Sequence, residues 1–196
     1  MQFSIAIMAA SASVALAAPS WSLFRRQANA CFITGTTALP AIVEEDVAGF
    51  QDLVTCDAST TTIQGIPDVQ AGNVKFSSVN FADAAAGGVS PLQFALNTFA
   101  TTEPLADNDL NTFTNQLVVY LATEAGIRSN GGDVGQIKIP KFFLEMQVSR
   151  IRVAQGDTPA EAGLQVDHLR DKVLTNGAAE DQALKDQVTQ LAAQTA

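Results

Sequence analysis

With twenty Asp and Glu against eleven Lys and Arg, the 196-residue chain carries a net charge of −9. Such a surface repels phosphate backbones and anionic headgroups, which disfavours nucleic-acid binding and electrostatic attachment to membranes. Two cysteines and one histidine fall short of the four ligands of a tetrahedral metal site, and no nucleotide or metal motif implies a cofactor.

Residues 1–18 have the composition of a secretory signal peptide, with apolar runs at Ile5–Ala10 and Val14–Ala18. Ala15-Leu16-Ala17 supplies a small-x-small pattern and places the cut after Ala17. The stretch is well short of the ~20 apolar residues that span a bilayer, so no stable membrane anchor is expected after cleavage. A dibasic pair, Arg25-Arg26, reads as the end of a propeptide over 18–26, leaving a single domain over 27–196. Maturation at that point leaves nine Lys and Arg against twenty acids, a net charge of −11. In an exported chain, Cys31 and Cys56 are expected to form one disulfide. Closing the loop between them stabilises by about 3 kcal/mol on the chain-entropy model.

Pro40, Ile42, Val43, Val47, Phe50 and Val54 predict an amphipathic helix over Pro40–Thr55, which the disulfide would tie back to the segment before it. Between residues 57 and 81 the chain favours extended backbone, interrupted by Gly65, Pro67 and Gly72. Ser90-Pro91 then starts a short helix predicted to reach Thr101. Asp107 or Asp109 starts a longer one, with an apolar face from Leu110 to Ala125, and Gly126 with Asn130-Gly131-Gly132 is expected to end it.

Ile139–Ala154 is the helix around which the domain is expected to pack. Phe142, Phe143, Met146, Val153 and Ala154 share one flank, and Leu144, Val148 and Ile151 another. Lys141, Glu145, Ser149 and Arg152 form its one polar stripe, expected to face water. Arg150 projects among the apolar residues, where an arginine must snorkel to water, meet a carboxylate or hold an anionic ligand. Thr158-Pro159-Ala160-Glu161 reads as a capping box opening a helix that runs to Thr175. Asn176-Gly177 makes a turn, and Leu184, Val188 and Leu191 stripe the terminal helix. The expected fold is therefore mainly α: one bundle of about six helices with a short β excursion near residues 57–81.

No constellation of catalytic residues is legible. His168 stands between Asp167 and Asp171, acids that any solvated helix face carries, and there is no G-x-S-x-G elbow. Asp107-Asn108-Asp109-Leu110-Asn111 begins like a calcium loop, but Thr112 replaces its glycine and Val118 its bidentate glutamate. Glu44/Glu45 or Glu103/Asp107 could serve a hydrolase that needs only two carboxyls. After loss of Trp21 with the propeptide, Tyr120 alone offers an aromatic platform with a polar handle. Phe94, Phe99, Phe113, Phe142 and Phe143 could line a carrier's site for an apolar molecule, although that spacing also suits a plain core.

Three segments resemble a family of fungal proteins described only as small secreted proteins. They are Ala30-Cys31-Phe32-Ile33-Thr34-Gly35-Thr36-Thr37-Ala38-Leu39-Pro40, Tyr120-Leu121-Ala122-Thr123-Glu124-Ala125-Gly126-Ile127-Arg128 and Ile139-Pro140-Lys141-Phe142-Phe143-Leu144. The resemblance covers nearly all of residues 27–196. It implies a filamentous-fungal source and export, and brings no activity, cofactor or site residue with it. The expectation is thus a secreted, non-enzymatic factor, effector-like in kind, that meets a protein, a cell wall or a small apolar ligand. A lipid carrier and a carboxylate-pair hydrolase are the alternatives.

Overall fold

A computed structural model describes residues 30–195. The expected signal segment, its cut after Ala17 and the Arg25-Arg26 pair lie outside those residues.

Helix α1 (Ala41–Phe50) begins after Pro40, whose fixed φ suits a helix entrance. It buries Val47 and Phe50, with the Phe50 ring stacked 5.8 Å from that of Phe32. The helix stops five residues short of the predicted Thr55. Val54 and Cys56 instead lie in strand β1 (Val54–Thr61), paired with Ala71 and Val69 of β2 (Pro67–Ala71). Strand β3 (Val74–Lys75) completes an antiparallel sheet of order β1-β2-β3, and Gly72, at φ +54, makes the tight β2–β3 turn. β-Branched residues at Val54, Thr55 and Thr60 to Thr62 favour pairing over the fading helical stripe. Cys31 and Cys56 are bonded, with Cα atoms 5.9 Å apart, so the disulfide fastens the N-terminal segment to β1 rather than to a helix end.

Two short helices follow, α2 (Phe81–Ala85) and α3 (Pro91–Thr98). Ser90 caps α3 as expected, its Oγ accepting from the Gln93 amide at 3.2 Å. Helix α4 (Leu110–Ser129) starts at Asp109, which accepts from the Asn111 amide and the Thr112 hydroxyl. Asp109 thus serves as a helix cap rather than as a calcium ligand. Tyr120, fully buried, donates to the Val79 carbonyl at 2.6 Å and meets the rings of Phe76 and Phe99 edge on. Gly126 does not end the helix. A Cβ there would come within 2.6 Å of the Phe32 carbonyl oxygen, so the glycine admits a neighbouring backbone, and the helix stops near Gly131 at φ +70.

Helix α5 (Lys138–Ala154) is the central element expected, packed against α3, α4 and α6. It buries Ile139, Phe143, Leu144, Met146 and Ile151. The predicted capping box opens no helix: residues 157–165 cross α5 without regular helix except a turn at Ala162–Leu164, and α6 begins only at Val166 (Val166–Asn176). The Leu164 carbonyl accepts from the Ser149 hydroxyl at 2.7 Å, which anchors that crossing to α5. Helix α7 (Gln182–Ala192) closes the fold beside α6. The domain is mainly α as expected, with seven α-helices among the described residues and one small sheet.

Candidate functional site: a charged cleft over the polar stripe of helix α5

The stripe expected to face water is largely covered. Ser149 is buried, Lys141 is 11% exposed as a side chain, and Glu145 is partly buried. The crossing at 161–164 and helix α6 stand over this side of α5, with α1 and α4 opposite. Between them lies a cleft of about 710 Å³, a volume usual for small-molecule sites. Apolar lining comes from Val43, Leu121, Phe142 and Leu164.

The charges on its floor divide into engaged and unengaged groups. Glu124 of α4, 4% exposed, receives Lys141 Nζ at 2.7 Å and Arg128 Nη2 at 2.6 Å. Burial works against its charge, and the two cations outweigh burial, holding its carboxyl below the usual range. Lys141 also sits over the Phe142 ring, 4.1 Å from its centroid. Both cations are therefore committed to groups already present.

Glu145, one turn along from Lys141, differs. Among the described residues its carboxyl makes no hydrogen bond and no ion pair. The cleft walls remove most of its hydration while leaving the side chain partly accessible. Burial, with Asp46 and Glu124 adding and Lys141 and Lys172 opposing, pushes its pKa up to about 7. At neutral pH it is thus divided between donor and acceptor forms. Asp46 stands exposed at the mouth, yet partial burial and the nearby Glu124 and Glu45 raise its pKa as well.

A model of the family described as a domain of unknown function, DUF7143, matches residues 33–196. The chain belongs to that family. No curated protein and no solved structure matches it.

The acids this DUF7143 chain brings together come from α1, α4 and α5, and they are not the pairs that the sequence suggests. Of those, Glu45 lines the cleft, whereas Glu103 lies beside the tail at Gln194. The helical spacing Glu124–Arg128, and the place of Glu145 between Lys141 and Ser149 on one stripe, are the signals the sequence offers; the covering crossing at 161–164 is not visible in it. His168 is exposed on α6, and its neighbours Asp167 and Asp171 both pair with Arg170. Among the described residues no group of three or more His, Cys, Asp or Glu is arranged to hold a metal, and no helix is long and apolar enough to cross a membrane. Phe99, Phe113 and Phe143 are buried in the core, Phe94 packs edge to face on Phe99 at 5.8 Å, and Phe142 alone of that set reaches the cleft.

Arg150 neither snorkels nor meets a carboxylate. It is fully buried, donating from Nε to the Gln194 carbonyl at 3.0 Å and from Nη1 to Gln147 Oε1 and Thr101 Oγ1. Nη2 has no partner. Burial lowers its pKa, with Glu103 opposing from beyond ion-pair distance. Thr101, Gln147 and Gln194 line a neighbouring groove of about 250 Å³, but Arg150 lies behind them.

Proposed function

We propose that this chain is an exported, non-enzymatic binding protein whose cleft between α1, α4, α5 and α6 holds a small polar ligand. The observation that carries the reading is Glu145: an unpartnered, largely desolvated carboxyl opening into a cleft of ligand size. Phe142, Leu121 and Leu164 offer an apolar wall against which the rest of a ligand would lie. Export is supported by the signal-like residues 1–17, the Arg25-Arg26 pair and the Cys31–Cys56 disulfide, a bond that persists in oxidising compartments. The resemblance to fungal small secreted proteins agrees with an extracellular, effector-like factor.

A hydrolytic role has less support. Both oxygens of Glu124 are held by cations, so it is a weak base, and the residues lining the cleft include no Ser, Thr, Cys or His. The test is a fragment titration of the 27–196 protein followed by amide and methyl NMR. Shifts confined to Leu121, Phe142, Glu145 and Leu164 are expected. Fragments that bind only elsewhere, or a turnover lost on Glu145→Gln, would overturn the reading.

A further inference from the structure

We infer that the ligand of this cleft is an organic cation, an ammonium group attached to an apolar body, with Glu145 as its counter-charge and Phe142 as its apolar contact. The inference deepens the binding reading above and rests on it.

The choice of charge follows from which groups in the cleft remain available. From α4, Glu124 and Arg128 are paired with each other, and from α5 Lys141 completes that network. Glu145 on α5 and Asp46 on α1 have no bonding partner among the described residues. Glu45 of α1 and Glu161 before α6 add further negative charge at the exposed margin. Against these stand Lys172, exposed on α6, and Lys138, half-buried at the start of α5. Carboxyls without partners thus outnumber free cations, and the net charge of −9 draws cations toward the whole surface.

The aromatic contact points the same way. The Phe142 ring carries Lys141 Nζ over one face, 4.1 Å from its centroid, so this ring already serves as a cation's contact in the cleft. An ammonium at Glu145 would complete a row alternating in sign: Arg128 and Lys141 about Glu124, then Glu145, then the ligand. A second carboxylate there would instead face Glu145, Glu124 and Asp46 together.

A cation needs Glu145 ionised, so binding must release a proton below neutral pH. The probe is phenethylammonium, which stays charged across the range, titrated into the 27–196 protein at pH 6 and pH 8 and followed by methyl NMR. The dissociation constant should be about tenfold weaker at pH 6, since one pH unit below its midpoint only about a tenth of the carboxyl is ionised. Glu145→Gln should weaken binding at pH 8 by at least about tenfold and abolish the pH dependence, while its amide spectrum stays that of the folded protein. Equal affinity at both pH values overturns the role of Glu145. If 3-phenylpropionate shifts the same methyls and phenethylammonium does not, the cation class is wrong and the binding cleft stands. If neither probe moves them, and the fragment titration is also silent in the cleft, both readings fall.

Discussion

Replacing Glu145 by glutamine should make the domain more stable, and increasingly so as pH rises. Its carboxyl titrates near 7 in the folded protein against 4.5 when unperturbed, because burial disfavours the charged form. Below pH 4.5 the group is protonated in both states and has no effect. Between 4.5 and 7 the unfolded chain gives up the proton while the folded chain keeps it, so stability falls as pH rises. Above 7 the loss is complete and constant. A shift of this size corresponds to about 3 kcal/mol if all of it is linked to folding, and to about 2 kcal/mol once the partial access of solvent is allowed for. Glutamine keeps the shape and the hydrogen-bonding capacity of the neutral acid but never ionises. Asp46, raised, and Glu124, lowered, titrate in both proteins, and loss of the like charge at 145 relieves both, which adds to the advantage of glutamine at high pH. Urea unfolding of wild type and Glu145→Gln at pH 5, 6, 7 and 8 should show an advantage below about 1 kcal/mol at pH 5 that grows to about 2 kcal/mol at pH 8, with unchanged m. A glutamine variant less stable than wild type at pH 8, or an offset equal at every pH, would refute the largely desolvated, unpartnered carboxyl.

Other substitutions separate paired from unpaired burial. Arg150→Met removes a desolvated charge but leaves Gln147 Oε1 without its donor, so urea unfolding should show a loss of about 1–2 kcal/mol. A loss above about 4 kcal/mol would reveal a counter-ion that the neutral oxygens around it do not provide. Glu124→Gln strands Lys141 and Arg128 and should cost about 3 kcal/mol by the same assay. A cost under about 0.5 kcal/mol would mean that solvent screens the network. The double variant Cys31→Ser with Cys56→Ser should lose about 3 kcal/mol, and an unchanged urea midpoint would show that the loop contributes nothing through its closure.

The sequence carries the helices more clearly than the site. Proline and cap residues before α3 and α4, and the apolar faces of α4 and α5, are local signals, and local signals survive folding. The end of α1 is not legible, because Val54 belongs to the helical stripe and to β1 equally well, and its β2 partner Ala71, seventeen residues away, decides between them. Gly126 read as a stop for a similar reason. Its meaning depends on the Phe32 backbone, which reaches it only through tertiary packing. For the stripe of α5, periodicity shows that Lys141, Glu145 and Ser149 share a side, but not that residues 161–164 lie across it.

That covering turns an ordinary polar stripe into a discriminating one. Ser149 satisfies its hydroxyl on the Leu164 carbonyl and so fixes the roof; Lys141 satisfies its charge on Glu124 and so fixes the floor. Glu145 lies between these two fixed points and, among the described residues, bonds to none. A neutral side chain at 145 would leave roof and floor intact and give a more stable domain, which is the sense of the glutamine prediction. Buried polar groups in folded proteins are ordinarily paired, and the strained exceptions concentrate where a ligand completes them. The same helix therefore serves two ends through its two sides. Phe143, Leu144, Met146 and Ile151 hold it immovably in the core, and that rigidity keeps the carboxyl of Glu145 in a cleft it would otherwise leave for water.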